Sequence, residues 1–248
     1  MPGRLPPCWI ALTPGVLESG AGQGASAAVI DALAHAVQAA VSGGLRGVLL
    51  REPSLSDGCF LDLARVLREL LHAPEVGGWL GVHDRLHLVE AAEADGGHVG
   101  GRSLPLHAGR RVLGSDRTLG VSTHASDTAG AGGESPWSGA DLALHAPVFA
   151  PISKSAKGGD PLGPSGLRSF VERCPLPVWA LGGVTVERLA DLTGSGAAGA
   201  CTIGALWQTT GAPVTSSSGP LGDVAGIEAR ARALSAAVEI TFEEVAGA

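Results

Sequence analysis

Apolar residues in this chain arrive as short runs that stop at a glycine or a polar residue, and most runs are followed by apolar residues at helical spacing. Each run reads as a buried strand and each spaced stretch as a covering helix. Strands are predicted at 8–12, 47–50, 79–82, 97–100, 118–122, 141–145, 178–181 and 200–206. A helix is predicted at 27–41, where Val29, Ile30, Leu33, Val37 and Val41 share a face, and others at 60–71, 86–94, 166–174 and about 223–239. Residues 125–139 hold several glycines and one proline with almost no apolar period, so that segment is expected to be short or mostly loop.

The most informative unit runs from Pro177 to Trp207. The run Val178-Trp179-Ala180-Leu181 is stopped by Gly182-Gly183, and Thr185 then stands where an N-cap would, ahead of Leu189 and Leu192 on one helical side. Gly194, Gly196 and Gly199 break that pattern before the next apolar run. This is a parallel strand-helix-strand unit, and it places Gly182-Gly183 and Ile203-Gly204-Ala205 at the carboxyl ends of adjacent strands. Backbone amides exposed there suit a phosphate; the alternative is that these glycines serve only tight turns.

Repeating this alternation through 248 residues predicts an α/β chain forming a single (β/α)8 barrel over 1–248, with a flexible segment near 209–222. An open doubly wound sheet would gather its chemistry at one switch point, whereas here residues with chemistry follow nearly every strand. Composition narrows the partners. With 17 basic against 24 acidic residues and no basic run interleaved with aromatics, no nucleic-acid partner is expected. No apolar run approaches the roughly 20 residues that cross a bilayer, and the start lacks a signal-peptide core, so no membrane partner and a cytoplasmic location are expected. Cys8, Cys59, Cys174 and Cys201 are scattered in apolar surroundings and read as small core residues.

If the barrel closes, one rim collects Arg51, His83-Asp84-Arg85, Arg102-Ser103, Ser122-Thr123-His124, Lys154 and the two glycine turns. Taken singly, Asp84-Arg85 could be a cap and an exposed ion pair, and Lys154 a solvated loop charge. Together they suit a small phosphorylated substrate and proton transfer.

The same residues carry a resemblance. Leu50-Arg51-Glu52, Asp84-Arg85, the run from Ala94 to Gly100, the run from Leu119 to His124, Gly139-Ala140-Asp141, Pro147-Val148-Phe149, Pro161-Leu162-Gly163 and Leu181-Gly182-Gly183-Val184 occur in family order. From about Ile10 to Trp207 the chain resembles the thiamine phosphate synthase and TenI family of (β/α)8 barrels. The resemblance implies a thiazole phosphate held by Gly182, Gly183, Ile203 and Gly204, with Arg51, Ser122 and Thr123 also on substrate. It implies Lys154 beside departing pyrophosphate.

Departures from the family pattern bear on the reaction. Where the synthase pattern has a glutamine, an arginine and a lysine for the pyrimidine diphosphate, this chain has Leu49, Arg51 and Pro53. Of the two aspartates that hold Mg²⁺, Asp84 remains and Ser103 stands in place of the other. These departures favour a TenI-like thiazole tautomerase that needs no cofactor, with His124 moving the proton. The alternative is a thiamine phosphate synthase with Mg²⁺ on Asp84 and a pyrimidine diphosphate as second ligand. A third reading is a non-catalytic thiazole-phosphate-binding or regulatory protein. Whether the chain forms a homo-oligomer stays open at this stage.

Overall fold

The computed structural model describes residues 3–15, 17, 27–125, 127, 137–150, 160–208 and 220–242. Eight parallel strands follow one another around a closed ring: β1 (Trp9–Leu12), β2 (Gly47–Leu50), β3 (Trp79–His83), β4 (Gly96–Val99), β5 (Thr118–Thr123), β6 (Leu142–His145), β7 (Val178–Ala180) and β8 (Gly199–Thr202). The last strand pairs back onto the first, with Trp9 opposite Ala200. The chain is a (β/α)8 barrel.

Outside the ring lie α1 (Ala27–Ser42), α2 (Asp57–Leu71), α3 (Leu106–Leu113), α4 (Gly163–Val171), α5 (Val186–Leu189), α6 (Gly204–Trp207) and α7 (Val224–Phe242). The predicted and observed elements differ in several places, each for a local reason. Helix α2 begins before residue 60 because Ser56 caps it, its hydroxyl accepting the Cys59 amide at 3.4 Å. Helix α4 begins at Gly163 because Pro164 suits a first helical turn.

The helix expected at 86–94 is only a 3-10 turn, Leu86–Leu88, followed by turns that close at Glu93 with φ 49° and with the Ala94 amide on the Val89 carbonyl. Helix α3 was not legible, since only Gly109 and Leu113 of its residues are buried and they make no apolar period. The run 200–206 divides, β8 ending at Thr202 and α6 starting at Gly204, an ambiguity that short apolar runs always carry. Thr185 stands at the N-cap of α5 but makes no capping hydrogen bond through its side chain. Most of 125–139 and all of 209–219 lie outside the described residues, while Pro220–Gly222 form a 3-10 turn with Leu221 buried. Among the described residues no helix is long and apolar enough to cross a membrane.

Two apolar layers result. The larger fills the space between ring and helices; the smaller, of Ile10, Leu12, Leu49, Leu142, Leu144, Trp179 and Cys201, fills the barrel. Because side chains alternate along a strand, this assigns the strand ends: Arg51 continues the inward series of Leu49, and Ile203 that of Cys201. At the amino-terminal end, residues 3–7 cross beneath the barrel. There the Trp79 indole and the Thr118 hydroxyl donate to the Arg4 carbonyl at 3.1 and 2.7 Å, and the Trp179 indole donates to the Pro7 carbonyl at 2.9 Å. That end is occupied by backbone, which leaves the carboxyl-terminal mouth for ligands.

Candidate active site

At the corner of the mouth formed by β2, β3 and β4, the chain brings charged side chains together. The Arg51 amide donates to the Thr13 hydroxyl at 2.8 Å, which extends the β1–β2 pairing to the rim. Gly15, at φ 70°, lets the guanidinium approach: a Cβ there would lie 2.6 Å from Arg51 Nη1. Glu52 beside it is buried and structural, accepting the amides of Gly15 and Leu17 at 2.9 Å each, and burial pushes its carboxyl above the usual range. Arg51, Glu52, Pro53, Phe60, His83, Asp84 and Arg85 line a cavity of about 150 Å³.

Asp84 takes φ 64°, an uncommon conformation for a residue with a side chain. Two hydrogen bonds hold the turn, from the Asp84 amide to the His98 carbonyl and from the Arg85 amide to the His83 carbonyl, both at 2.8 Å. The turn aims neighbouring side chains in opposite directions. Asp84 reaches towards β4, where it accepts the Ser103 hydroxyl. Arg85 reaches back to β2, stacking on Phe60 at 4.7 Å and donating to Asp57 at 2.6 Å and to the Pro53 and Leu55 carbonyls.

His83, expected at the rim, and His98, which was not, form the wall between this corner and β5. The His83 and His98 rings lie 5.3 Å apart, and His98 Nε2 is 2.8 Å from the Ser122 hydroxyl. Burial lowers both imidazoles, His98 far below the ordinary 6.5; Arg51 pushes His83 further down and Asp84 partly offsets this. Both are neutral near pH 7. The sequence does hold a signal for His98: it stands among Gly96, Gly97 and Gly100, opposite Gly120, where a Cβ would lie 2.5 Å from its Nδ1. Of these glycines it is Gly120 that leaves the ring its room; a Cβ on Gly96 or Gly97 would meet Thr118 or Leu86 instead.

The expected pair Ser122 and Thr123 separates. Ser122 faces into the mouth with His98, but Thr123 is 1% exposed on the outer face, its hydroxyl 2.9 Å from His145 Nδ1. His145 stacks on Phe170 of α4 at 3.7 Å, and burial with the nearby charge of His124 lowers it to about 4. Thr123 therefore cannot touch a ligand in the mouth, and His145 does not replace a missing polar group there. His124 is exposed just past β5, its amide donating to Asp127 at 2.8 Å and its Nδ1 3.8 Å from the same carboxylate. Lys154 lies outside the described residues.

The opposite corner, at β7 and β8, is made of backbone. Gly182 and Gly183 take φ 96° and 62°, and a Cβ on them would lie 2.8 Å from Pro147 Cα and 2.3 Å from the Ala150 carbonyl. The β6 loop packs directly on them, with the Val148 and Phe149 amides donating to the Leu181 and Gly182 carbonyls at 2.9 Å. Ile203 leads into Gly204, the first residue of α6, and the Trp207 indole ties that turn to the Leu12 carbonyl at 2.7 Å. Among the described residues no protein oxygen takes the amides of Gly183 or Gly204. Consecutive left-handed residues followed by such amides form a concavity suited to an anion.

Comparisons with known proteins give the family and the fold. The family model described as thiamine monophosphate synthase matches residues 24–206. A thiamine-phosphate synthase of Moorella thermoacetica is 34% identical over 170 residues, 68% of this chain and 78% of that protein. Another, of Salinispora arenicola, is 40% identical over 145 residues, 58% of this chain and 67% of that protein. Among solved structures, a thiamine phosphate pyrophosphorylase from Pyrococcus furiosus shares the fold at a TM-score of 0.69, with 20% identity, over 94% of this chain and 96% of that one.

Proposed function

This chain belongs to the thiamine monophosphate synthase family, and we propose that within it the protein is a thiamine-phosphate synthase, joining hydroxymethylpyrimidine diphosphate to thiazole phosphate with release of pyrophosphate. The relatives that carry the synthase name favour this reading over the tautomerase suggested by the departures at Leu49, Pro53 and Ser103. The observation that carries it is the corner at β2–β4, where Arg51 and a conformationally constrained Asp84 share one cavity. A tautomerase needs a base and a phosphate anchor but no metal, so it gives Asp84 no metal to hold.

In this reading Arg51 holds the diphosphate and the amides of Gly183 and Gly204 hold the thiazole phosphate across the mouth. The thiazole nitrogen gives its lone pair to the methylene carbon of the pyrimidine as the bond from that carbon to the diphosphate oxygen breaks, and pyrophosphate leaves with the electron pair. His83 and His98 are neutral, so the wall they form does not repel positive charge growing on the pyrimidine methylene. The donor set fits magnesium: Asp84 supplies one hard carboxylate, and such ions are commonly held by one or two carboxylates plus substrate phosphates. When bound, Mg²⁺ neutralises charge on the departing diphosphate. Lys154 is proposed to help there.

The experiment supplies both substrates and Mg²⁺ and follows pyrophosphate and thiamine phosphate together. Turnover that Arg51→Gln abolishes supports the synthase. One observation favours the second reading, the His124–Asp127 pair, which could hold an imidazole as a proton carrier. Conversion of the thiazole tautomer, lost in His124→Ala and without pyrophosphate release, would establish that reading instead.

A further inference from the structure

The carboxylate of Asp84 is already engaged. The Ser103 hydroxyl donates to Oδ1 and is itself fixed by the Gly100 amide at 2.7 Å, and His83 Nδ1 lies 3.1 Å from Oδ2. The surrounding charges add little that would attract a dication. Arg51 lines the same cavity as a cation, Arg85 is paired with Asp57, and both Glu52 oxygens are taken by backbone amides. Among the described residues no group of three or more His, Cys, Asp or Glu side chains is arranged to hold a metal. Magnesium requires near-octahedral oxygen coordination and gives up its water reluctantly. One carboxylate with both oxygens engaged, facing an arginine, is a poor exchange for that water. A diphosphate reverses the balance by bringing several anionic oxygens to the same place.

We propose that Ser103 and His83 cap Asp84 so that the free protein holds no magnesium, and that the metal enters only together with the diphosphate group it helps to bind. The identity of the diphosphate rests on the synthase reading; the lack of metal affinity in the free protein follows from three side chains alone. Ser103 is then the residue that sets the order of binding. A carboxylate in its place would converge with Asp84 and hold the metal before any substrate arrives.

The full chain is titrated calorimetrically with magnesium chloride alone, and then with magnesium in the presence of inorganic pyrophosphate. The wild type is expected to give no saturable heat with the metal alone and to bind the metal with pyrophosphate. Ser103→Asp is expected to bind the metal alone at least about tenfold more tightly, and adding Asp84→Asn to that variant removes the gain. Ser103→Asn matches it in size without charge and gains nothing, and circular dichroism confirms that each variant is folded. Wild-type protein that saturates with magnesium alone as tightly as Ser103→Asp overturns the proposal, as does a folded Ser103→Asp that gains no metal binding. If no variant binds pyrophosphate with metal present, the synthase reading falls, while the metal-alone comparison still decides the capping of Asp84.

Discussion

The corner at β2–β4 and the corner at β7–β8 sit on opposite sides of the ring, β3 and β7 being four strands apart among eight, and they offer an anion different things. The first presents side chains: Arg51, Asp84, Ser103 and the His83–His98 pair. The second presents backbone, shaped by Gly182, Gly183 and Gly204 and pressed against the β6 loop. A side-chain corner can change its chemistry by one substitution at a time without disturbing the barrel. A backbone corner cannot, because the conformation that exposes its amides is also what lets the loops pack. This difference explains why the departures from the family pattern all fall at the first corner, at Leu49, Pro53 and Ser103, while the glycine turns match it.

Substitutions should therefore act differently at the two corners. The largest effect is expected for Gly183→Ala, where a left-handed residue with a side chain costs about 1–2 kcal/mol and the contact with the Ala150 carbonyl adds about 1–3 kcal/mol. Denaturant unfolding should show that loss together with weakened thiazole phosphate binding. Next comes Asp84→Asn, expected to leave the unfolding midpoint near wild type while kcat/KM for synthesis falls by about 1.5–3 kcal/mol, tenfold to somewhat over a hundredfold. Stability and activity would thus fall together at one corner and separately at the other.

Smaller effects divide the two faces of β5. Ser122→Ala removes a partner of His98 inside the mouth and should raise KM several-fold. Thr123→Val removes the partner of His145 outside it, so about 1 kcal/mol of stability is lost with kcat and KM unchanged. A separate effect is on pH dependence. His98 and His145 resist protonation in the folded protein, so stability should be level above about 6.5 and decline below it, as the unfolded chain takes up protons that burial makes the folded chain refuse, until about 4 for His145. Unfolding midpoints between pH 7 and 4 check this, and His145→Asn should flatten part of the slope.

The barrel was legible because eight short apolar runs, each ended by glycine or a polar residue, leave few other arrangements. The glycine corner was legible for a related reason: Gly182-Gly183 and Gly204 stand at strand ends where backbone alone does the work. Arg51 and Asp84 could be placed at the rim from strand positions. What could not be read was facing. Ser122 and Thr123 are adjacent and similar, and which one enters the mouth depends on the alternation set by Leu142 and Leu144 on the neighbouring strand. Nor could the sequence show that Asp84 turns towards Ser103 and Arg85 away from it, since that follows from a single φ of 64°.

The account depends on the two corners gripping two different ligands, and calorimetry on a pair of variants tests this most directly. Gly204→Asp places a negative charge where the thiazole phosphate would sit, at a helix start that tolerates it, and Arg51→Gln removes the cation facing the diphosphate. The expected result is that Gly204→Asp loses thiazole phosphate and keeps magnesium pyrophosphate, while Arg51→Gln does the reverse. If either folded variant loses both ligands equally, or the losses are exchanged, the two corners are not separate sites and the account is contradicted.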